Sequence, residues 1–343
     1  MRTIIYSLIL WMAGFNLQAA KAAMVKWTVQ TAAEQDNMIS VCWSPALGIF
    51  CAQSSDGTTR VQTSRDGITW GGQSVPTGTW KSVCWSPDKN LFVAIAGFGS
   101  ANIIMTSTNG TNWSAQTAPA DNGWRNVVWS PEKNIFCAVG ILGAQQVMTS
   151  NNGTNWALQS HPVGAAGFAG LAWSPQLGLF VAGGIDDGCR AMSSPDGTNW
   201  TARTAASLDD WLSIAWSPQL GLFAAVADTN NEGSNKRVMI SSNGTSWSTV
   251  VPPEGNDWSG ICWSPELGIF CAVSNNGTRR TMISHNGTSW IPISAPEANF
   301  WYNLCWSPEL AKFCAVANNG THRFMTGVNT GVPGRTGRGK SIF

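Results

Sequence analysis

Trp124-Arg-Asn-Val-Val-Trp-Ser-Pro131 is one of seven stretches in this chain that end in Trp-Ser-Pro. The seven stretches follow one another at intervals of 42 to 47 residues along a chain of 343 residues. Their Trp-Ser-Pro tryptophans are Trp43, Trp85, Trp129, Trp173, Trp216, Trp263 and Trp306. A repeat of this length is typical of a four-stranded propeller blade, so seven copies predict an all-β, seven-bladed β-propeller.

One repeat, from Trp124 to Trp156, shows how the four strands of a blade arise. Residues 124–129 alternate between apolar and polar well enough to form the first strand. Residues 135–139 are an uninterrupted apolar run, as expected for a strand covered on both faces by neighbouring blades. Residues 145–150 form the third strand, and Trp156 begins the outer one.

A second motif, Ser-x-Asp/Asn-Gly-x-x-Trp, lies between the third and fourth predicted strands. Its copies are 64–70, 107–113, 150–156, 194–200, 241–247 and 284–290. The Ser and Asp/Asn side chains suit hydrogen bonds to turn backbone, and Gly allows positive φ. The motif resembles the Asp box of sialidase-like (BNR-repeat) propellers, although it is one residue shorter and often has Asn for Asp. The resemblance implies membership of that superfamily and the propeller fold.

Seven first-strand motifs accompany only six boxes, and this mismatch predicts how the ring closes. Trp27-Thr-Val-Gln-Thr-Ala-Ala33 aligns with Trp113-Ser-Ala-Gln-Thr-Ala-Pro119, which is an outer strand. The last repeat ends with its third strand near Thr326. We therefore expect the N-terminal strand to complete the final blade, which removes exposed sheet edges.

The two ends of the chain differ from the repeat. Residues 1–23 have a positive start, a short apolar run and an Ala-x-Ala arrangement, which predict a signal peptide cleaved near Ala20–Ala23. The mature chain is then expected to be secreted or periplasmic, with no membrane span. Residues 24–330 form the predicted propeller, and residues 331–343 are predicted to be a flexible tail.

Composition limits the partners. The chain has 20 Lys and Arg against 19 Asp and Glu, so its charge gives no indication of nucleic acid as a partner. The three histidines form no cluster, no metal-ligand spacing occurs, and no cofactor is expected.

Most of the nine cysteines take places filled by Val or Ala in other repeats, which favours buried thiols. Cross-strand disulfides are the alternative for three pairs: Cys42 with Cys51, Cys262 with Cys271, and Cys305 with Cys314.

Variable loops between the second and third strands and between blades share one face of the predicted ring, which we call the loop-bearing face. Binding sites commonly lie on such loops. At this face, five residues before the repeat tryptophans, aromatic residues open the innermost strands. The candidate ligand-binding residues among them are Trp80, Trp124, Trp211, Trp258 and Trp301. They either stack on a sugar or another flat ligand or pack as core between blades.

A second set of candidates is a ring of arginines at the start of the third strands. Its members are Arg60, Arg190, Arg237, Arg280 and Arg323. They either bind an anion or carboxylate at the loop-bearing face or bond loop carbonyls and stack on tryptophan.

These patterns predict a binding propeller with a glycan or an extracellular or periplasmic protein as its ligand. An assembly factor like the photosystem II assembly propellers is an alternative. A sialidase-type hydrolase is another, with Tyr302 and Glu297 as its nearest match to the family's tyrosine and glutamate. No blade departs strongly from the pattern, so no catalytic residue and no enzymatic activity are expected.

Overall fold

The computed structural model describes these residues: 25–99, 103–162, 167–185, 190–228 and 237–331. They form 28 strands in seven four-stranded antiparallel sheets. The sheets are the blades, numbered 1 to 7 in the order of their Trp-Ser-Pro motifs. The predicted signal segment 1–23 and residues 332–343 of the predicted tail lie outside the described part. Within that part, no helix is long and apolar enough to cross a membrane.

Each blade has an inner, a second, a third and an outer strand. The inner strands are β2 (Met38–Ser44), β6 (Trp80–Ser86), β10 (Trp124–Ser130), β14 (Gly167–Ser174), β18 (Asp210–Ser217), β22 (Trp258–Ser264) and β26 (Trp301–Ser307). The second strands are β3 (Ile49–Ser54), β7 (Leu91–Ala96), β11 (Ile135–Gly140), β15 (Leu179–Ile185), β19 (Leu222–Asp228), β23 (Ile269–Ser274) and β27 (Lys312–Ala317). The third strands are β4 (Val61–Ser64), β8 (Ile104–Ser107), β12 (Val147–Ser150), β16 (Ala191–Ser194), β20 (Val238–Ser241), β24 (Thr281–Ser284) and β28 (Phe324–Asn329). The outer strands are β5 (Gly71–Gln73), β9 (Ser114–Gln116), β13 (Ala157–Gln159), β17 (Thr201–Arg203), β21 (Ser248–Val250), β25 (Ile291–Ile293) and, in blade 7, β1 (Val25–Gln30). Each inner strand contacts the inner strands of its two neighbours, and β26 contacts β2, so the blades close into the predicted seven-bladed ring.

The N-terminal strand completes blade 7, as the motif count predicts. β1 pairs antiparallel with β28, from Val25 opposite Asn329 to Gln30 opposite Phe324. Trp27 packs against Phe313 with ring centroids 6.1 Å apart, the arrangement that box tryptophans make in the other blades at 6.0–6.5 Å. The box turn itself is absent here, because β1 is not joined to β28 by a hairpin. Closure therefore reproduces the packing of a blade without its covalent turn.

The box turns owe their shape to their polar side chains. In the first box the Ser64 hydroxyl accepts a hydrogen bond from the Gly67 N–H at 2.8 Å, and Gly67 has φ of +72°. Asp66 Oδ1 accepts from the N–H groups of Ile68 and Thr69 at 2.7 and 2.8 Å. Burial raises the pKa of Asp66, but these backbone hydrogen bonds outweigh it and lower the pKa below its ordinary value. The carboxylate is thus a structural acceptor that stays ionised near neutral pH.

The Trp-Ser-Pro tryptophans fasten each blade to the preceding one. In six blades the indole Nε1 donates a hydrogen bond of 2.6–2.9 Å to the side chain that follows Trp-Ser-Pro in the preceding blade. The acceptors are Asp88, Glu132, Gln176, Gln219, Glu266 and Glu309. Blade 1 has Ala46 at this place, and the Trp85 Nε1 of blade 2 is buried without a partner among the described residues. The junction between blades 1 and 2 therefore lacks a bond that the other junctions have.

Replacing Ala46 with Gln is expected to raise the free energy of unfolding by roughly 1 kcal/mol, because it supplies the acceptor that Trp85 lacks. Ala46→Met is the matched control, since its side chain is similar in size and has no amide oxygen. Chemical denaturation of both variants measures the difference. Equal stability of the two would show that the missing acceptor does not weaken this junction.

The eight described cysteines are free thiols. The cysteines that lie directly opposite one another are Cys42 and Cys51, Cys262 and Cys271, and Cys305 and Cys314. Burial raises the pKa of all eight thiols. They are therefore protonated near neutral pH, which makes them poor nucleophiles and metal ligands. Cys189 lies outside the described residues.

Candidate functional site

The aromatic residues that open the inner strands are core residues. The five candidate tryptophans have no exposed surface: Trp80, Trp124, Trp211, Trp258 and Trp301. In four of them the indole N–H donates a hydrogen bond of 3.0–3.4 Å to the backbone carbonyl four residues earlier. This burial corrects the interpretation in which they form stacking platforms for a ligand, because every indole face is covered by packing between blades.

The arginine ring joins blades at the loop-bearing face. Arg237 Nη1 is 2.7 Å from Asp257 Oδ1, and Asp257 directly precedes the inner strand of the next blade. Arg190 makes the equivalent ion pair with Asp210 at 2.7 Å and is 3% exposed.

The other three arginines bond backbone carbonyls before the next inner strand. Arg60 donates to Gly78 O at 2.6 Å, Arg280 to Asn299 O at 2.9 Å, and Arg323 to Asp36 O at 2.8 Å. All five guanidinium groups thus bond to the segment that precedes the next blade's inner strand. They do not converge on one anion site.

A different set of residues does converge, because each inner strand has a β-bulge at the same place. In blade 3 the register passes from Trp124 directly to Asn126, which leaves Arg125 as the extra residue. The bulge residues of blades 1 to 7 are Ile39, Lys81, Arg125, Ala169, Leu212, Ser259 and Tyr302. All seven line one cavity of about 230 Å³ at the loop-bearing end of the central channel, which we call the mouth. Bulges re-aim side chains and are common beside active sites, so the mouth is the candidate functional site.

The residues that follow the bulges have a structural role instead. The Ser40 hydroxyl accepts a hydrogen bond of 3.2 Å from the Val83 N–H of the next blade. Ser82, Ser213 and Asn303 accept equivalent bonds at 3.2–3.3 Å. This second position is Ser, Asn or Gly in every blade, whereas the bulge position has seven different residue types. The scaffold therefore restricts the second position and leaves the bulge position variable, although the Ser259 hydroxyl of blade 6 also donates a hydrogen bond of 2.6 Å to Trp301 O of the next blade.

The mouth has a cationic side. Lys81 and Arg125, from the neighbouring blades 2 and 3, are the charged bulge residues. Neither side chain makes a hydrogen bond or an ion pair within the described residues. Burial, and then the nearby Arg125 charge, lower the pKa of Lys81. Two like charges brought together in a cleft favour an anionic ligand. Asp228 of blade 5 also lines the mouth, so the cationic character is confined to blades 2 and 3.

Tyr302 and Glu297, the pair considered for the sialidase-type alternative, do not both line the mouth. Tyr302 lines the mouth as the bulge residue of blade 7. Glu297 is hydrogen bonded instead to His322 Nδ1 at 2.6 Å and Asn299 Nδ2 at 3.0 Å. Burial raises the pKa of Glu297, but these bonds outweigh it and lower the pKa below its ordinary value. Glu297 therefore holds a neighbouring loop. The five ring arginines, which bond between adjacent blades, do not form a shared anion site with it.

The sequence patterns did not identify the bulge residues as a set, and Tyr302 was named only for the sialidase-type alternative. Residues 124–129 are consistent with an uninterrupted strand, because an extra residue in a bulge leaves no mark on so short a pattern. The signal that identifies the site is variation: directly after a repeated aromatic residue, each blade has a different residue type. The variable loops predicted at this face are 97–102, 141–145, 184–188 and 228–236. Loop 141–145 is described in full, while residues 100–102, 186–188 and 229–236 of the other three lie outside the described residues.

No family model and no curated protein matches the chain. Solved structures do match its fold. A streptogramin B lyase is 8% identical with a TM-score of 0.75, over 90% of this chain and 98% of the lyase. A catalytically inactive virginiamycin B lyase from Staphylococcus aureus, in a structure with quinupristin, is 9% identical with a TM-score of 0.75, over 89% of this chain and 99% of that one. YCF48 from Cyanidioschyzon merolae is 14% identical with a TM-score of 0.61, over 88% of this chain and 98% of that one.

These matches confirm the seven-bladed propeller and correct one prediction. The expectation that the chain is not an enzyme is contradicted, because the lyases share this fold. The propeller fold therefore does not exclude catalysis. At 8–14% identity the likeness shows the fold and brings no reaction or partner to this chain. Membership of the sialidase-like superfamily remains a prediction from the box motif.

Proposed function

We propose that this protein is a ligand-binding propeller that holds its ligand at the mouth of the central channel. The observation that carries the proposal is a contrast within the inner strands. The bulge position has a different residue type in each blade and lines one cavity, whereas the positions directly before and after it are restricted to a few residue types. Packing repeats wherever a scaffold repeats, so seven different residues at equivalent places are not required by the fold. Binding at the mouth is compatible with catalysis there.

The size and lining of the mouth limit the ligand. A volume of about 230 Å³ lies below the ~300–1,000 Å³ of typical small-molecule pockets, so the mouth holds one small group. That group is either a small molecule or the end of a larger ligand. The hypothesis that a carbohydrate binds by stacking loses its main support, since the candidate tryptophans are buried. A negatively charged group, from a small molecule or from a partner protein, fits Lys81 and Arg125 better than a neutral sugar does. The assembly-factor hypothesis is the version of this proposal in which the ligand is a protein.

The proposal is tested by filling the mouth. Leu212 is a half-buried bulge residue, so Leu212→Trp is expected to narrow the cavity and reduce ligand binding at least about tenfold without unfolding the ring. Leu220→Trp makes the same change in the same blade, in an exposed Trp-Ser-Pro turn at the opposite face, and is the matched control. Saturation-transfer NMR against a panel of monosaccharides, sugar acids, amino acids and organic acids measures binding. Binders that respond equally to both variants would contradict the proposal.

We also propose that the chain is exported, on the evidence of residues 1–23 alone. Mass spectrometry of the protein isolated from its host tests this. An intact N-terminus beginning at Met1 would exclude cleavage near Ala20–Ala23.

A further inference from the structure

The cationic side of the mouth also lines a second cavity at the loop-bearing face. This cavity lies between blades 2 and 3, has a volume of about 230 Å³, and shares Lys81 and Arg125 with the mouth. Phe98 and Ile141 supply its apolar lining. The Lys81 side chain reaches toward it, since a Cβ on Gly97 would be 3.1 Å from Lys81 Cε. The two cations therefore line both cavities, and in the second one they lie near Phe98 and Ile141.

The apolar side chains of this second cavity are accessible to a ligand. Phe98 is 67% exposed, which is unusual for a large aromatic side chain in a chain that buries most of its indoles. Leu142, next to Ile141 on the neighbouring loop, is 40% exposed. Phe300, the other exposed phenylalanine among the described residues, already packs under Arg280 at 5.9 Å. Phe98 is thus an exposed apolar group beside two cations that make no hydrogen bond or ion pair within the described part of the chain. This arrangement matches a ligand that carries both a negative charge and an apolar body.

We propose that Lys81 and Arg125 bind a carboxylate whose attached apolar group packs against Phe98 and Ile141. The planar guanidinium of Arg125 can donate two parallel hydrogen bonds to a carboxylate, and the Lys81 ammonium adds a point charge. A carboxylate also relieves the repulsion between the two cations. This inference rests on the proposed binding function and adds the chemical class of the ligand and its location at blades 2 and 3.

Two sources supply this chemistry: a free aryl- or alkyl-carboxylic acid, and the C-terminal carboxylate of a peptide that ends in an apolar residue. The probes are 3-phenylpropionate and acetyl-Gly-Gly-Phe with a free carboxylate. Each is compared with its primary amide, which retains the apolar body and lacks the charge. Isothermal titration or ligand-observed NMR on the whole mature chain gives the affinities.

At least one carboxylate probe is expected to bind about tenfold or more tightly than its amide, because a hydrogen-bonded charge is lost in the amide. The double variant Lys81→Gln/Arg125→Gln is expected to lose that preference, and Phe98→Ser is expected to weaken acid and amide alike. Lys133→Gln is the control, since Lys133 lies in the Trp-Ser-Pro turn region over the Trp173 ring. If only 3-phenylpropionate binds more tightly than its amide, the ligand is a small molecule. If acetyl-Gly-Gly-Phe binds more tightly than its amide, the ligand is the C-terminus of a peptide chain.

Equal binding of acid and amide, or no binding of either acid, would overturn the carboxylate assignment. An acid preference that survives the double variant would also overturn it, provided that thermal melting shows the variant folded. The Leu212→Trp experiment separates this failure from failure of the proposed function. If Leu212→Trp still weakens the binding of panel ligands, the mouth is a binding site for another class of ligand. If it weakens the binding of none of them, both proposals fail.

Discussion

Deletion of residues 24–33 is expected to abolish cooperative folding of the ring. β1 supplies the outer strand of blade 7 through six register pairs, and Val25 and Trp27 are both 6% exposed within the blade core. Loss of these two buried side chains alone removes roughly 5 kcal/mol, which is comparable to the whole stability of many domains. The deletion also leaves β28 as an open sheet edge, which favours aggregation. Chemical denaturation and size-exclusion chromatography of the truncated protein measure the effect.

A peptide added in trans provides the control for this deletion. A synthetic peptide of residues 24–33 is expected to restore native fluorescence, because β1 is held by pairing and packing and not by a hairpin turn. The same peptide with Trp27→Ala should restore much less, since it lacks the indole that packs on Phe313. A truncated chain that unfolds at the same denaturant concentration as the parent would exclude closure by the N-terminal strand.

Trp124→Ala is expected to lower the free energy of unfolding by about 3–5 kcal/mol. The Trp124 indole has no exposed surface and packs in one cluster with Val93 and Ile95 of the preceding blade. Its removal therefore opens a cavity at the junction between blades 2 and 3. Equilibrium denaturation measures the loss.

Trp156→Ala is the matched control in the same blade. Trp156 is only partly buried and lies 6.3 Å from Phe136, so a smaller loss is expected. The comparison also decides between the two interpretations of the aromatic residues at the inner strands. If Trp124→Ala kept native stability and lost ligand binding, the indole would be a ligand platform after all.

The fold was predictable because its determinants are local and repeated. A run such as Ile135–Gly140 specifies a buried strand by its own composition, and the box turn is specified by the side chains that bond its backbone. Ring closure followed from a count, since an outer strand without a preceding box had only blade 7 to complete. None of these inferences required knowledge of distances between blades.

The roles of the candidate site residues were not predictable in the same way. An arginine at the start of a third strand suits both an anion site and a blade junction. The choice depends on where the next blade places its carbonyls and carboxylates, such as Asp257 beside Arg237. Likewise, a tryptophan at the start of an inner strand suits both a platform and a core. Only the packing of adjacent blades buries the Trp124 indole.

The sequence by itself thus determined the number of blades, the order of strands and the closure by Trp27, because periodicity and turn chemistry are properties of neighbouring residues. The tertiary structure alone decided which residues meet at the mouth. Arg125 and Lys81 are 44 residues apart in sequence and line one cavity because bulges in adjacent inner strands turn them toward the same axis. Such convergence depends on the register of pairing and on ring geometry, and neither is written in any single repeat.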